Sequence, residues 1–210
     1  DTASAIKESA KKVGIRLVGE EFFERGTKDM YPFLTRILAK KPDLIDLGAC
    51  PPGDGTIALK QLYELGYRGP KAWSCGTDPK LIIKLTGKAC EGVWFSYGHD
   101  LEGPNANKKT RELAKKYRAK YHEALTVAAM TEYFMVEIFT QAMKEAGTIN
   151  VDKVIKTIER TKEFNTTYGH VILTGKNFYG IDRQFVHFMM LGQARRGKLV
   201  EVSPLPMPGL

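Results

Sequence analysis

Two short stretches hold the residues whose types and spacing could meet a ligand: Cys50-Pro51-Pro52-Gly53-Asp54 and Cys75-Gly76-Thr77-Asp78. Each lies between a predicted strand and a predicted helix. Each therefore falls at the carboxyl end of a strand, where open α/β sheets place their ligands. The candidate ligand-binding residues are Cys50, Pro51, Gly53, Asp54, Cys75, Gly76, Thr77 and Asp78, with Tyr97 as an aromatic wall. Asp54 and Asp78 each open a helix, so each reads as an N-cap. A cap carboxylate keeps a second oxygen, so accepting a hydrogen bond from a ligand ammonium is compatible with capping. A reactive thiol at Cys50 or Cys75 needs an activating neighbour, and none is visible in sequence. Small, near-neutral cleft lining is the main reading of the two cysteines, and a Cys50–Cys75 disulfide is the alternative.

Other chemistries find little support. The stretch from Pro51 to Gly55 is glycine-rich but lacks the lysine and spacing of a phosphate loop. The helix start after Gly76-Thr77-Asp78-Pro79 could bind an anion through backbone N–H groups. His99, His122, His170 and His187 are far apart and lie in no catalytic context. The three cysteines, Cys50, Cys75 and Cys90, form no CxxC pair and no metal spacing, and Cys90 reads as core. No catalytic residue, metal or cofactor is expected.

The elements that would hold these loops follow from periodicity and punctuation. Met30, Phe33, Leu34, Ile37 and Leu38 make the apolar stripe of a helix, capped by Thr27 or Asp29 and stopped by Pro42. Asp43–Ala49 reads as a strand, and a helix with Ala58, Leu62 and Leu65 on one side runs to Gly66. Thr2–Val13 is a predicted helix and Ile15–Phe23 a strand; Lys71–Cys75 and Gly92–Tyr97 are strands around a helix that ends at Gly87. The order αβαβαβαβ predicts four strands in one parallel sheet. A first helix with no strand before it leads us to expect a chain that is the later part of a longer protein. Beyond a polar linker at Gly98–Asn107, helices are predicted over Asn107–His122, Val127–Ala146 and Val151–Arg160, with Tyr133 assigned to the core. Strands follow at His170–Leu173 and Phe185–Leu191, the latter in a hairpin with Lys198–Val202. The tail from Ser203 is expected to cover the surface or to be disordered.

The chain of 210 residues is 43% hydrophobic, enough for a real core, and contains no apolar run of membrane-spanning length. Its net charge is +8, with the basic residues densest from Lys108 to Lys120. Leu113, Tyr117 and Tyr121 form the apolar stripe of that helix. The charges opposite read as a solvated face or as a partner-binding patch. No nucleic-acid partner is expected.

Six stretches in order resemble the branched-chain amino-acid (Leu/Ile/Val-type) substrate-binding proteins of ABC transporters. They are the run Gly26–Asp43, Ile57–Pro70 (IALKQLYELGYRGP), Gly87–Gly92 (GKACEG), Tyr133–Gly147 (YFMVEIFTQAMKEAG), Gly169–Gly180 followed by Arg183, and Gly192–Val202 (GQARRGKLVEV). The resemblance implies an α/β architecture, the type I periplasmic-binding-protein fold, with the N-terminal half of the first lobe missing. Residues 1–97 and 185–205 would form the second lobe, 105–183 the later part of the first, and 98–104 and 184 the hinge crossovers. It implies a periplasmic protein, or an extracellular lipid-anchored one in a single-membrane bacterium. It also implies capture of a small polar solute between lobes, an ABC permease as partner together with the missing N-terminal part, and no catalysis. A sensing receptor of the same fold and an α/β enzyme are the alternatives. Typical amino-acid binders carry an aromatic on the second ligand loop and an acid on the third. Here the second loop is Cys50–Asp54, without an aromatic, and the acid is Asp78, displaced toward its helix.

Overall fold

The computed structural model describes residues 2–74, 78–98, 100–187 and 189–205. The chain divides into two compact units: Asp1–Tyr97 with Met190–Ser203, and Gly98–Met189 with Pro204–Leu210.

In the first unit the order is α1 (Thr2–Lys12), α2 (Tyr31–Ala39), β1 (Ile45–Asp46), α3 (Pro52–Glu64), β2 (Lys71–Trp73), α4 (Pro79–Thr86), a 3-10 turn at Gly87–Cys90, and β3 (Val93–Tyr97). The expected stripe of α2 is buried as the spacing demands: Met30 and Leu34 pack with Ile45 of β1 and with Ala58 and Leu62 of α3. Of the two expected caps, Asp29 Oδ1 accepts from the N–H of Tyr31, the first residue of α2, at 3.1 Å, whereas the Thr27 hydroxyl donates back to the Glu24 carbonyl. The N-cap position is Met30, and its N–H donates to Gln61 Oε1 at 2.7 Å. Gln61 Nε2 in turn donates to the Lys28 carbonyl, so one side chain of α3 clamps the entry to α2.

The strand expected at Ile15–Phe23 does not form: residues 15–24 carry no helix or strand. A run of strand-forming residues becomes a strand only by pairing. Among the described residues no strand pairs with this segment; its Glu20 makes an ion pair with Lys7 of α1 and its Glu21 with Arg36 of α2. The parallel part of the sheet is therefore three strands, with Ile45 in register with Lys71 and Lys71 with Val93.

The second unit holds α5 (Lys108–Tyr121), α6 (Val127–Ala146), α7 (Val151–Thr161), β4 (Glu163–Asn165), β5 (His170–Thr174), α8 (Lys176–Tyr179) and β6 (Gln184–His187). Met130, Phe134, Ile138 and Ala142 carry the buried face of α6 against Val154 and Ile158 of α7. Tyr133, expected in the core, is 44% exposed because it lies one position off that i, i+4 row. In α5 the buried pair is Thr110 and Ala114, while Tyr121 is exposed, so the stripe is displaced from the expected one. The antiparallel sheet of this unit runs β4-β5-β6.

The strand expected over Phe185–Leu191 is two strands. Gln184–His187 pairs with β5, while β7 (Met189–Arg195) pairs antiparallel with β3 and adjoins β8 (Lys198–Leu205), giving the first unit the order β1-β2-β3-β7-β8. Residues 185–189 thus group with the second unit. Arg196 and Gly197 join β7 to β8 with φ of 53° and 72°, the paired left-handed geometry of a two-residue type I′ hairpin. The tail extends β8 to Leu205 before leaving the described residues.

Candidate functional site

The carboxyl ends of β1 and β2 carry the candidate loops, and the first of these is shorter than expected. Pro52, Gly53 and Asp54 are the first turn of α3, with Pro51 at the N-cap. Proline suits the first helical position, held by Pro52, because its fixed φ is helical and its missing N–H would have had no acceptor there. Pro51 offers no side-chain cap. The first-turn N–H groups at Gly53 and Asp54 accordingly have no intrahelical acceptor.

Asp54 is therefore not the N-cap. Its carboxylate is 5% exposed, and both oxygens accept from the Gly26 N–H at 3.2 Å. This is a charge-assisted latch between the start of α3 and the loop ahead of α2, further favoured by the positive end of the helix dipole.

Cys50 is a half-buried free thiol. Burial, and secondarily the Asp54 charge, push its pKa up to about 12. It stays protonated at neutral pH and is a weak hydrogen-bonding wall rather than a nucleophile. Its carbonyl accepts from Trp73 Nε1 at 3.2 Å. Trp73 is fully buried beneath α3, and a Cβ on Gly55 would lie 2.3 Å from its ring. Gly55 is what lets the helix approach the indole, and the indole in turn holds the Cys50 backbone.

A further contact ties the two strand ends together. Asp46 Oδ2 accepts from the Ser74 hydroxyl at 2.8 Å, and Asp46 Oδ1 from the backbone N–H groups of Gly48 at 2.9 Å and Ser74 at 3.3 Å. Neither residue was a sequence candidate. The available signal was an acid inside the otherwise apolar Leu44–Leu47 run. Asp78 does cap α4, accepting from the Leu81 N–H at 3.2 Å with Pro79 in the first turn. Cys75, Gly76 and Thr77 lie outside the described residues, and so does the Cys50–Cys75 pairing. Tyr97 is buried at the end of β3 and donates its hydroxyl to Glu201 Oε1 of β8 at 3.1 Å. The structure thus brings Cys50, Pro51, Gly53 and Asp54 together at the end of β1, with Asp46 and Ser74 bridging to β2. Among the described residues no group of His, Cys, Asp and Glu has metal-binding geometry, and no helix is long and apolar enough to cross a membrane.

Comparison with known proteins gives a consistent picture. A family model described as periplasmic binding protein matches residues 1–198. The Leu/Ile/Val-binding protein homolog 1 of Brucella suis is 24% identical over 167 residues, which are 80% of this chain and 44% of that protein. A leucine binding protein from Thermotoga maritima superposes with a TM-score of 0.81 at 18% identity, over 97% of this chain and 55% of that one. The branched-chain amino acid transporter substrate binding protein of Streptococcus pneumoniae, solved with isoleucine, gives 0.77 at 20% identity, over 96% and 57%. The structural likenesses show the fold, the α/β type I periplasmic-binding-protein fold expected from the sequence. The chain spans about half the length of these relatives.

Proposed function

Because the chain belongs to the periplasmic binding protein family, we propose that it is part of the solute-binding component of an ABC transporter. The observation that carries this reading is the family match over residues 1–198. The solute is a small polar molecule, an amino acid or a related carboxylate or amide. It is held at the carboxyl ends of β1 and β2, in a cleft that closes by hinge motion and so presents a liganded shape to a membrane permease. The protein works outside the cytoplasmic membrane, in the periplasm or anchored at the cell surface. Residues 1–97 with the β7–β8 hairpin act as one lobe, and residues 105–183 belong to the other.

The site chemistry supports binding rather than turnover. The Cys50 thiol stays protonated, and the Asp54 carboxylate is already engaged with Gly26. The Cys50–Asp54 loop has no aromatic ring to offer an apolar side chain. It offers instead backbone N–H groups, a thiol and two prolines, a surface suited to a compact polar group. Asp78 is the acid available for a ligand ammonium, through the carboxylate oxygen that does not cap α4. The test is a thermal-shift and calorimetric screen of the purified protein against amino acids, small carboxylates and amides. A solute present at a hundred times its Kd should stabilise the folded state by about 2.7 kcal/mol. Turnover of a solute without its tight binding would overturn the reading in favour of an enzyme.

A further inference from the structure

We infer that the outward face of α5 is an adsorption surface for an anionic phospholipid bilayer. The helix carries Lys108, Lys109, Arg111, Lys115, Lys116, Arg118 and Lys120 against one acid, Glu112. Its buried side is confined to Thr110 and Ala114, so all seven cations are exposed. The two arginines are engaged within the protein. Arg118 pairs with both carboxylate oxygens of Glu102 at 2.6 and 2.8 Å, and Arg111 donates to the Ala106 carbonyl. Lys108 faces Glu112 at 3.9 Å, a weak exposed pair. Lys109, Lys115 and Lys116 have no acidic partner within ion-pair distance among the described residues.

What remains open on this face is thus lysine. A lysine ammonium is a point charge on a flexible stem, without the fixed fork that selects a single carboxylate or phosphate. Such charges suit a diffuse sheet of negative headgroups better than a shaped protein partner. Tyr117 and Tyr121 lie on the same side of the helix as the buried Thr110 and Ala114, their rings tilted against each other at 4.6 Å, so the outward face of α5 carries charge and no aromatic ring. No large apolar residue projects from the outer face, so the helix rests on the bilayer surface and does not insert.

The test is flotation of the full chain with vesicles of phosphatidylcholine alone and of phosphatidylcholine with 25% phosphatidylglycerol, at about 0.05 M and 0.5 M salt, which changes the screening length roughly threefold. The variant K109E/K115E/K116E removes the open lysines. The variant K11E/K12E/K88E makes the same change elsewhere, so both carry a net charge of +2 in place of +8. Circular dichroism confirms that each folds. The expected result is binding only to the anionic vesicles, lost at high salt, and reduced at least tenfold by the α5 variant, since each lysine near such a surface is worth about fivefold. The control variant should keep most of it. Equal loss in both variants would overturn the proposal, because net charge alone would then account for binding. Failure of the wild-type chain to float at low salt would overturn it too. So would capture of an acidic peptide such as oligoglutamate in preference to anionic vesicles, which would make the partner a protein.

Discussion

Gly55 and Gly53 sit two residues apart in the first turns of α3 and should respond oppositely to the same substitution. A Cβ at Gly55 would lie 2.3 Å from Trp73 Cη2 and 2.4 Å from Cζ2, whereas one at Gly53 meets nothing within 4 Å. Comfortable carbon–carbon separation is about 3.5–4 Å, so in G55A the indole must retreat by more than about 1 Å. Trp73 is 0% exposed and stacked on Phe95. Overpacking of this kind costs about 1–3 kcal/mol. Displacing Nε1 from the Cys50 carbonyl adds about 1–2 kcal/mol. The helix gains about 0.5–1 kcal/mol from alanine, leaving a net loss of about 1–4.5 kcal/mol. Both tryptophans, Trp73 and Trp94, lie in the first unit, so a fluorescence melt reports on that unit alone. G55A should melt about 5–15 °C lower, with altered emission from the native state. G53A should be neutral or stabilised by up to about 1 kcal/mol. A G55A melt within about 2 °C of wild type, or equal losses in the two variants, would refute the claim that Trp73 is pinned beneath α3.

Two further outcomes follow from the same loop. Asp54→Asn replaces one acceptor oxygen with an N–H₂ group facing the Gly26 N–H, and should cost about 1–3 kcal/mol. The freed loop should be cut faster by trypsin after the exposed Arg25, and an unchanged cleavage rate would remove the latch from the account. Cys50, studied with Cys75 and Cys90 replaced by serine, should resist iodoacetamide across the range where ordinary thiols react, because its pKa lies at about 12 in place of 9.0. The sign for stability follows. The unfolded thiol ionises first, so the stabilisation is complete below about pH 9 and is lost as pH rises toward about 12. C50S in that background should flatten this part of the pH–stability curve, and rapid alkylation at pH 8 would contradict the burial of the thiol.

Local punctuation was readable because its physics is local. Asp78-Pro79 starts α4 and Gly87 ends it; Asn107 caps α5 through the Thr110 N–H; Gly147, at φ 63°, closes α6. Each needs only a side chain and a backbone group within four residues. Failures came where a partner decides. Ile15–Phe23 has the residues of a strand, but among the described residues no strand pairs with it. Phe185–Leu191 reads as one strand because alternation is the same on both sides of a passage from one sheet to another.

The site divides along the same line, and the succession of helix and strand explains where the unread contacts fall. Ser74 is 28 residues after Asp46, and Asp54 is 28 residues after Gly26. One strand–helix unit separates the members of each pair. Ser74 follows β2 as Gly48 follows β1, whereas Gly26 lies ahead of α2, after a segment that forms no strand. In a parallel sheet the carboxyl-end loops of successive units are neighbours, so a polar side chain in one loop finds its partner one unit away. Topology therefore forecasts the spacing of such contacts, and the order of elements was legible. Which side chain reaches across was not. Asp54 could cap its own helix or latch its neighbour, and only the placement of Pro51 at the N-cap, three residues earlier, commits it to the latch.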